Sequence, residues 1–197
     1  MLKFPKLNPK TVPKAKIHNL NEGLDPNFGY ETKGTSESQF SGEALRATKF
    51  TCPENGVANS LTAYLKYYAA CNIKFGIYTD NAGYPDALVD YTAAWAITSG
   101  WDNWKTLTLT LQASLTANTV YWLVMFNDSG TVLAYYVAGG TNQYTVKAQA
   151  WNGFPATFPA GGTQLARQYS IYCTYTAGAP PPPTVKQPLM DGFVYID

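Results

Sequence analysis

The sequence predicts an all-β protein, an antiparallel and jelly-roll-like β-sandwich of about nine strands with an extended arm at each end. Three observations predict this fold. Hydrophobic and polar residues alternate along short segments, turn-forming residues separate these segments, and both ends of the chain are rich in proline. Alternation with a period of two buries one face of a strand. Many short strands at this spacing favour two packed antiparallel sheets.

Residues 1–45 precede the alternating part and are predicted to form an extended basic arm. Pro5, Pro9 and Pro13 recur in it and oppose a helix. Its lysines are Lys3, Lys6, Lys10, Lys14 and Lys16. Such an arm can contact an acidic neighbouring subunit or nucleic acid, or it can be a solvated terminus. Nucleic acid is not excluded, although five lysines without arginines are a weak signature for it.

Residues 46–177 are the predicted sandwich domain. Alternation is clearest from Ile73 to Thr79 and from Thr106 to Leu111, where we expect one face to be buried. The other predicted strands are rich in β-branched and aromatic residues and run from Arg46 to Cys52, Val57 to Tyr68, Leu88 to Ile97, Val120 to Asn127, Val132 to Val137, Tyr144 to Ala150 and Tyr169 to Tyr175. The second of these would also fit one face of a helix, so that alternative stays open.

One predicted strand contains a run that is apolar throughout. The run VYWLVMF, from Val120 to Phe126, is expected to be buried with Trp122 in the core, and Trp95 is expected in the core as well. It is the longest apolar run and is much shorter than the ~20 residues that cross a bilayer, so no membrane span is predicted. The chain begins with charge and proline, so we expect no cleavable secretion signal.

Residues 178–197 are predicted to be a proline-rich spacer followed by an apolar tip. Pro180 to Pro183 favour an extended polyproline rod of roughly 12 Å, which would carry the tip away from the preceding strand. The candidate assembly contacts in the tip are Leu189, Met190, Phe193, Val194, Tyr195 and Ile196. We expect them to be buried against another copy of the chain, with a site in the same domain as the alternative.

Groups that could perform catalysis are scarce. Charged residues make up 14% of the chain and its net charge is +1, so the chain as a whole is not expected to bind polyanions. The single histidine, His18, lies in the arm and cannot build a triad or a histidine metal site on the sandwich. Asp80, Asp86 and Asp90 cluster around one turn, which favours capping of a loop. No catalytic residue, cofactor or metal ligand is predicted, and we expect no enzyme.

The three cysteines allow two interpretations. Cys52 and Cys173 lie on the first and last predicted strands of the sandwich, and a disulfide between them would need a sheet that brings these strands together. Alternatively, these two residues and Cys71 are small buried apolar side chains.

Aromatic residues in turn-rich segments are the better candidates for a binding site, because rings displayed on loops stack on sugar faces. The candidate glycan contacts are Tyr84, Trp101, Trp104, Trp151 and Phe154. The alternative for Trp104 and Trp151 is that they close the open ends of the sandwich. The loop from Trp151 to Arg167 suits either an intersubunit contact or packing over the edge of the sandwich itself.

Residues 49–176 resemble a known module. The motifs FTCPENG, IKFGIYTDNAGYPDALV, SGWDNWKTLTL, LTANTVYWLVMF and YSIYCTYT are similar to a β-sandwich module of prokaryotic surface proteins and of tailed-phage structural proteins. The resemblance implies a jelly-roll-like sandwich that serves in adhesion, glycan binding or particle architecture.

These observations predict a non-enzymatic structural subunit of a large assembly, namely a virion coat, decoration or tail protein that is held by arm exchange between copies. The expected partners are copies of the chain itself and other structural proteins of the same particle. The expected location is a virion or an extracellular assembly. Two alternatives remain open: a glycan-binding or adhesion module that contacts surface glycans, and a subunit of an extracellular filament or sheath.

Overall fold

The computed structural model describes residues 25–178, which form two antiparallel sheets that pack face to face. The predicted all-β sandwich is therefore confirmed, although the described residues contain fifteen strands rather than about nine. Sheet A contains β1 (Asn27–Gly29), β2 (Ser36–Ser41), β4 (Gly56–Tyr67), β8 (Asp102–Thr108), β9 (Ser114–Leu115), β11 (Thr131–Ala138), β14 (Arg167–Tyr169) and β15 (Ile171–Ala177). Sheet B contains β3 (Ala44–Cys52), β5 (Cys71–Asn81), β6 (Tyr84–Tyr91), β7 (Trp95–Ile97), β10 (Thr119–Asn127), β12 (Tyr144–Ala148) and β13 (Thr163–Leu165).

The two sheets are built around long central strands. In sheet A, β4 pairs with β15 and β11 on one side and with β8 and β9 on the other. In sheet B the order is β13-β12-β3-β10-β5-β6, and β7 also pairs with β5. The segment Val57 to Tyr68, for which a helix was the alternative, forms the strand β4. The segment Leu88 to Ile97, which was predicted as one strand, contributes to two strands, β6 and β7.

The sandwich begins earlier in the chain than the sequence predicted. Both β1 and β2 fall within residues 1–45, which were assigned to the basic arm. β1 pairs with β15 and β2 pairs with β11, and each strand buries one phenylalanine, Phe28 and Phe40, in the core. Each strand is too short, with a single buried residue, to give a recognisable alternation. The predicted boundary at residue 46 was therefore wrong. The lysines and the His18 of the arm lie outside the described residues.

The main core lies between the two sheets and includes all three cysteines. Cys52, Cys71 and Cys173 are buried, and none of them forms a disulfide. Burial raises the pKa of the Cys71 thiol to about 12 and also raises the pKa of Cys173. The disulfide interpretation of Cys52 and Cys173 was therefore wrong, and the three side chains serve as small apolar residues in the core.

A second, smaller core lies on the outer face of sheet B. Residues 151–162, called the cover loop here, pack across this face. The buried members of the second core are Leu45, Ala47, Tyr78, Trp122, Val124, Phe126 and Phe158. Hydrogen bonds fix the loop, because Leu88 N donates to Ala156 O at 2.9 Å and Tyr78 Oη donates to Pro155 O at 2.7 Å. Of the two interpretations of this loop, packing on its own domain is the one observed, over a sheet face rather than an edge.

The two ends of the described chain lie next to each other in sheet A. Because β1 runs antiparallel to β15, Asn27 pairs with Thr174 and the chain before it lies beside the chain after Thr174. Tyr175 N donates to Pro26 O at 3.0 Å, and Gly178 N donates to Asn55 O at 2.7 Å. Both terminal segments of the sequence are therefore attached to the same end of one sheet.

Within residues 25–178, no helix is long and apolar enough to cross a membrane.

Candidate functional site

A groove of about 370 Å³ lies on the outer side of sheet B, between the β5–β6 hairpin and the cover loop. The hairpin supplies one wall and the second half of the cover loop supplies the other, while β12 contributes Thr145. The lining residues are Asn81, Tyr84, Pro85, Asp86, Thr145, Thr157, Phe158, Pro159, Ala160, Gly161 and Gly162.

Hydrogen bonds hold the two walls of the groove together. Phe158 N donates to Asp86 O at 2.7 Å, and a β-bridge joins Ala87 to Thr157. On the other side of the groove, Gln164 Nε2 donates to Gly83 O at 3.0 Å and ties β13 to the hairpin turn. The groove is thus a concave site on a framework of backbone hydrogen bonds, as preformed ligand sites are.

The turn of the hairpin is fixed by Asp80, one of the three aspartates that the sequence placed around a turn. Asp80 Oδ2 accepts a hydrogen bond from Gly83 N at 3.1 Å, and Asp80 Oδ1 accepts one from Trp122 Nε1 at 2.7 Å. Gly83 has a φ of +86°, which favours glycine at this position. The carboxylate therefore connects the turn to the second core and sets the position of the following residue, Tyr84.

Asp90 is also structural, further along the strand β6. It is fully buried, and its carboxylate accepts hydrogen bonds from the backbone N–H groups of Tyr91, Leu111 and Ala113 at 2.7, 2.9 and 3.2 Å. Asp86 differs from both of these residues, because its carboxylate has no hydrogen-bond partner among the described residues. Asp86 is also the one of the three aspartates that lines the groove.

Four side chains give the groove its chemistry. The Tyr84 ring is 49% exposed, Asp86 is half-buried, and the Asn81 amide lies at the rim. Thr145 is 1% exposed, and its hydroxyl has no hydrogen-bond partner among the described residues. The hydroxyl has room only because residue 162 is glycine, since a Cβ there would lie 2.4 Å from Thr145 Oγ1. A buried hydroxyl without a partner is uncommon in native proteins.

Of the five candidate glycan contacts, the structure places only Tyr84 in this groove. Trp151 and Phe154 lie at the other end of the cover loop, where they pack against Phe126 at 4.9 and 5.5 Å between ring centroids. Both rings face Lys74, whose Nζ lies 4.2 Å from the Trp151 centroid and 5.3 Å from the Phe154 centroid. Lys74 Nζ also donates to Asn152 O.

Lys74 thus occupies the space that the Trp151 and Phe154 rings enclose. It is 8% exposed, and burial lowers the pKa of its amino group. The surrounding rings and the Asn152 carbonyl replace part of the hydration of the ammonium group. The arrangement fastens the cover loop to β5, and these aromatic faces are engaged within the molecule rather than open to a ligand.

The remaining two candidate contacts lie on sheet A or near its edge. Trp104 contacts Tyr64 and Tyr172 on the outer face of sheet A, at 5.3 and 5.5 Å between centroids. Trp101 packs edge-on against Trp95 at 4.9 Å. The five candidate contacts therefore do not form one site, because the fold distributes them over separate surfaces.

The outer face of sheet A carries a small charged network beside these rings. Tyr135 Oη donates to Glu37 Oε1 at 2.5 Å, and Lys66 Nζ approaches the same oxygen at 3.2 Å. The hydrogen bonds from Tyr135 and Lys66 hold the pKa of Glu37 below its usual value. Lys33 Nζ lies over the rings of Tyr64 and Tyr135 at 4.5 and 4.2 Å.

The apolar tip, the proline spacer and the basic arm lie outside the described residues. Within residues 25–178, no group of three or more His, Cys, Asp or Glu side chains is arranged to hold a metal ion. The sequence did not indicate Asn81 and Thr145 as site residues, because nothing local connects a turn at residue 81 with a strand at residue 145.

Comparisons with known proteins concern the fold alone. No protein-family model matches the chain, and no curated protein matches it. The structure is similar to the crystal structure of the cysteine protease and lectin-like domains of Cwp84, a surface layer associated protein of Clostridium difficile. The TM-score is 0.50 and the sequence identity is 8%, over 73% of this chain and 36% of that chain. This chain therefore spans little more than a third of that structure, and the likeness is one between β-rich folds.

Proposed function

We propose that the protein is a non-enzymatic structural subunit of a virion or another extracellular assembly, in which arms are exchanged between copies. The observation that carries this proposal is the position of the two ends of the sandwich. The chain enters through β1 and leaves through β15, which are neighbours in sheet A, so both terminal segments start from one place on the surface. Two contact segments attached at one place suit a subunit that engages a single neighbour with both.

The composition of the sandwich and of the two terminal segments supports the proposal. Within residues 25–178, the side chains between Phe28 and Tyr175 form a core of their own. The C-terminal segment nevertheless contains the apolar residues from Leu189 to Ile196 after a proline spacer. Burial of this many apolar residues is favourable in free energy. In a repeated assembly, a neighbouring copy provides the surface that buries them.

The short strand β1 offers a physical reason why a neighbouring copy would bind near the two chain ends. It has three residues and pairs with β15 on one side, so among residues 25–178 its other side is an edge of sheet A. An exposed edge accepts an additional strand through backbone hydrogen bonds. The Phe193-Val194-Tyr195-Ile196 sequence is rich in strand-forming residues and suits such an addition.

The extracellular setting belongs to the proposal as well. The weakly charged surface composition and the resemblance to surface and phage modules favour it. The similar Cwp84 structure belongs to a surface layer associated protein, which is in keeping with this setting. A shell, a tail and a filament share the same contacts and differ in whether successive copies close into a ring or continue as a fibre.

Electron microscopy and light scattering of the purified full chain test this proposal. We expect the wild-type chain to form particles or fibres, and we expect Val194→Asp and Tyr195→Asp to abolish them while the thermal unfolding of the sandwich is unchanged. Thr184→Asp is the matched control, since it adds the same charge between the spacer and the tip. A wild-type chain that stays monomeric at high concentration, or tip variants that assemble normally, would refute arm exchange through the tip.

A further inference from the structure

We infer that the groove between the β5–β6 hairpin and the cover loop binds an uncharged pyranose sugar, with Tyr84 as the stacking ring. This site is independent of arm exchange, because it lies on sheet B while both chain ends lie in sheet A. It is also distinct from the Trp151 and Phe154 cluster, which is engaged with Lys74.

The exposed ring of Tyr84 is the first feature that favours a sugar. Tyr84 lines the groove and is one of the most exposed large aromatic side chains of the described chain. Its position is fixed, because the preceding turn is capped by Asp80 and tied to Gln164. A fixed ring at the side of a concave site can stack on the apolar face of a pyranose with little loss of conformational freedom.

The second feature is the set of polar groups in the groove that have no hydrogen-bond partner within the described residues. The Asp86 carboxylate accepts hydrogen bonds and the Asn81 amide both donates and accepts them. A carboxylate and an amide near an exposed ring match the adjacent hydroxyl groups of a sugar, each of which can donate and accept. Pro85, Phe158 and Pro159 supply apolar lining beside these groups.

The third feature is the Thr145 hydroxyl, which is the strongest sign that the groove has a ligand. It is almost completely buried, it lines the groove, and it has no hydrogen-bond partner among the described residues. An unpaired buried hydroxyl destabilises a folded protein by about 1–3 kcal/mol. The oxygen has no accessible surface, so a ligand hydroxyl would remove this penalty only by displacing Gly162, and a purely apolar ligand would not remove it.

Charge and size define the class of ligand. The lining contains one carboxylate, Asp86, and no lysine, arginine or histidine, so an anionic sugar or a phosphate would meet repulsion. Lys147 lies beside this part of the cover loop, and its Nζ lies 3.6 Å from where a Cβ on Gly161 would be. A volume of about 370 Å³ is at the small end of ligand sites and suits one or two sugar rings.

Saturation-transfer NMR and calorimetry with the full chain test the proposal. The probes are the methyl glycosides of glucose, galactose, mannose and N-acetylglucosamine together with their β-linked disaccharides, and the acidic probes are glucuronic acid and N-acetylneuraminic acid. We expect at least one neutral probe to bind and the acidic probes to bind more weakly. Failure of every neutral probe at millimolar concentration, or tighter binding of an acidic probe, overturns the inference.

Three variants locate the site. Tyr84→Ala is expected to weaken binding about tenfold through loss of the stacking surface. Thr145→Val keeps the shape of the side chain and is expected to weaken binding about three- to tenfold, while the melting temperature stays equal or rises because the unpaired hydroxyl is gone. Tyr68→Ala is the matched control, since Tyr68 is 59% exposed and does not line the groove.

The outcomes separate this inference from arm exchange. Binding that is lost in Tyr84→Ala but kept in Val194→Asp supports the groove whether or not particles form. Binding that survives both Tyr84→Ala and Thr145→Val places the sugar elsewhere and overturns the inference. Thr145→Val with unchanged affinity and a lower melting temperature would give the hydroxyl a structural role only, which also contradicts it.

Discussion

The outer faces of the two sheets differ, although both sheets are antiparallel and share one core. The outer face of sheet B is covered by the cover loop and forms a second core around Trp122 and Phe126. The outer face of sheet A has no such cover within the described residues and carries Tyr64, Trp104 and Tyr172 beside charged side chains. How apolar the residues of a sheet face must be therefore depends on whether that face is covered, and not on how its strands pair.

The amino-acid patterns of the central strands follow this difference. In β10, every residue from Tyr121 to Phe126 is buried, and these side chains are apolar or aromatic on both faces. In β4, the buried residues Leu61, Ala63 and Leu65 alternate with residues that face outward, such as Tyr64. A strand in sheet B has two cores to satisfy, while a strand in sheet A has one.

The largest effect should come from removing a side chain of the covered face. Trp122→Ala deletes a fully buried indole and also the donor that Asp80 Oδ1 accepts from. We expect a loss of about 3–5 kcal/mol in the free energy of unfolding, measured by urea denaturation. Trp104→Ala on the uncovered face is the matched control and should lose less than half of that, since Trp104 is only half-buried.

Equal losses in Trp122→Ala and Trp104→Ala would contradict the distinction between the two faces. Such a result would mean that the rings of sheet A are buried in solution, for example by a contact between copies. Repeating the Trp104→Ala measurement at a tenfold lower protein concentration separates these cases, because burial between copies depends on concentration.

A smaller loss in the free energy of unfolding is expected when a side-chain atom is added beneath the cover loop. Gly76 of β5 lies beneath the loop, and a Cβ at this position would lie 2.9 Å from Phe154 Cζ. We expect Gly76→Ala to displace the Phe154 ring, to lower the free energy of unfolding by about 1–3 kcal/mol and to make the cover loop sensitive to proteases. Mass spectrometry of the fragments identifies the cleavage site.

Gly153→Ala is the control for this variant, because it lies in the same loop and a Cβ there would meet nothing within 4 Å. It should leave both stability and protease resistance close to those of the wild type. If Gly76→Ala resists proteolysis as well as Gly153→Ala does, the cover loop is not held by the packing of Phe154.

The contrast between the faces also explains which parts of the fold the sequence could predict. The alternation in β4 and the apolar run of β10 predicted strands because local patterns report burial. The alternation from Ile73 to Thr79 predicted one buried face, which is observed, but Lys74 and Tyr78 on the second face are also buried, beneath the cover loop. That loop is distant in sequence, so no pattern within β5 could indicate it.

The same reason limits prediction of the groove. Tyr84 could be selected from the sequence because an aromatic residue after a turn is often displayed. Thr145 resembles any strand threonine, and its unpaired hydroxyl follows from the absence of a side chain at Gly162 and from the path of the cover loop. Trp151 and Phe154 were selected for the same reason as Tyr84, yet the buried Lys74 engages them.

The smallest effect should come from the charged network on the uncovered face. Hydrogen bonds from Tyr135 and Lys66 lower the pKa of Glu37, so its contribution to stability is present above the unfolded pKa near 4.5 and is lost as the pH falls through the lower folded value. Glu37→Gln should therefore be less stable than the wild type at pH 7 and equal to it in strong acid. Urea midpoints at both pH values check this, and a difference that persists or grows in acid would assign the effect of the substitution to packing rather than charge.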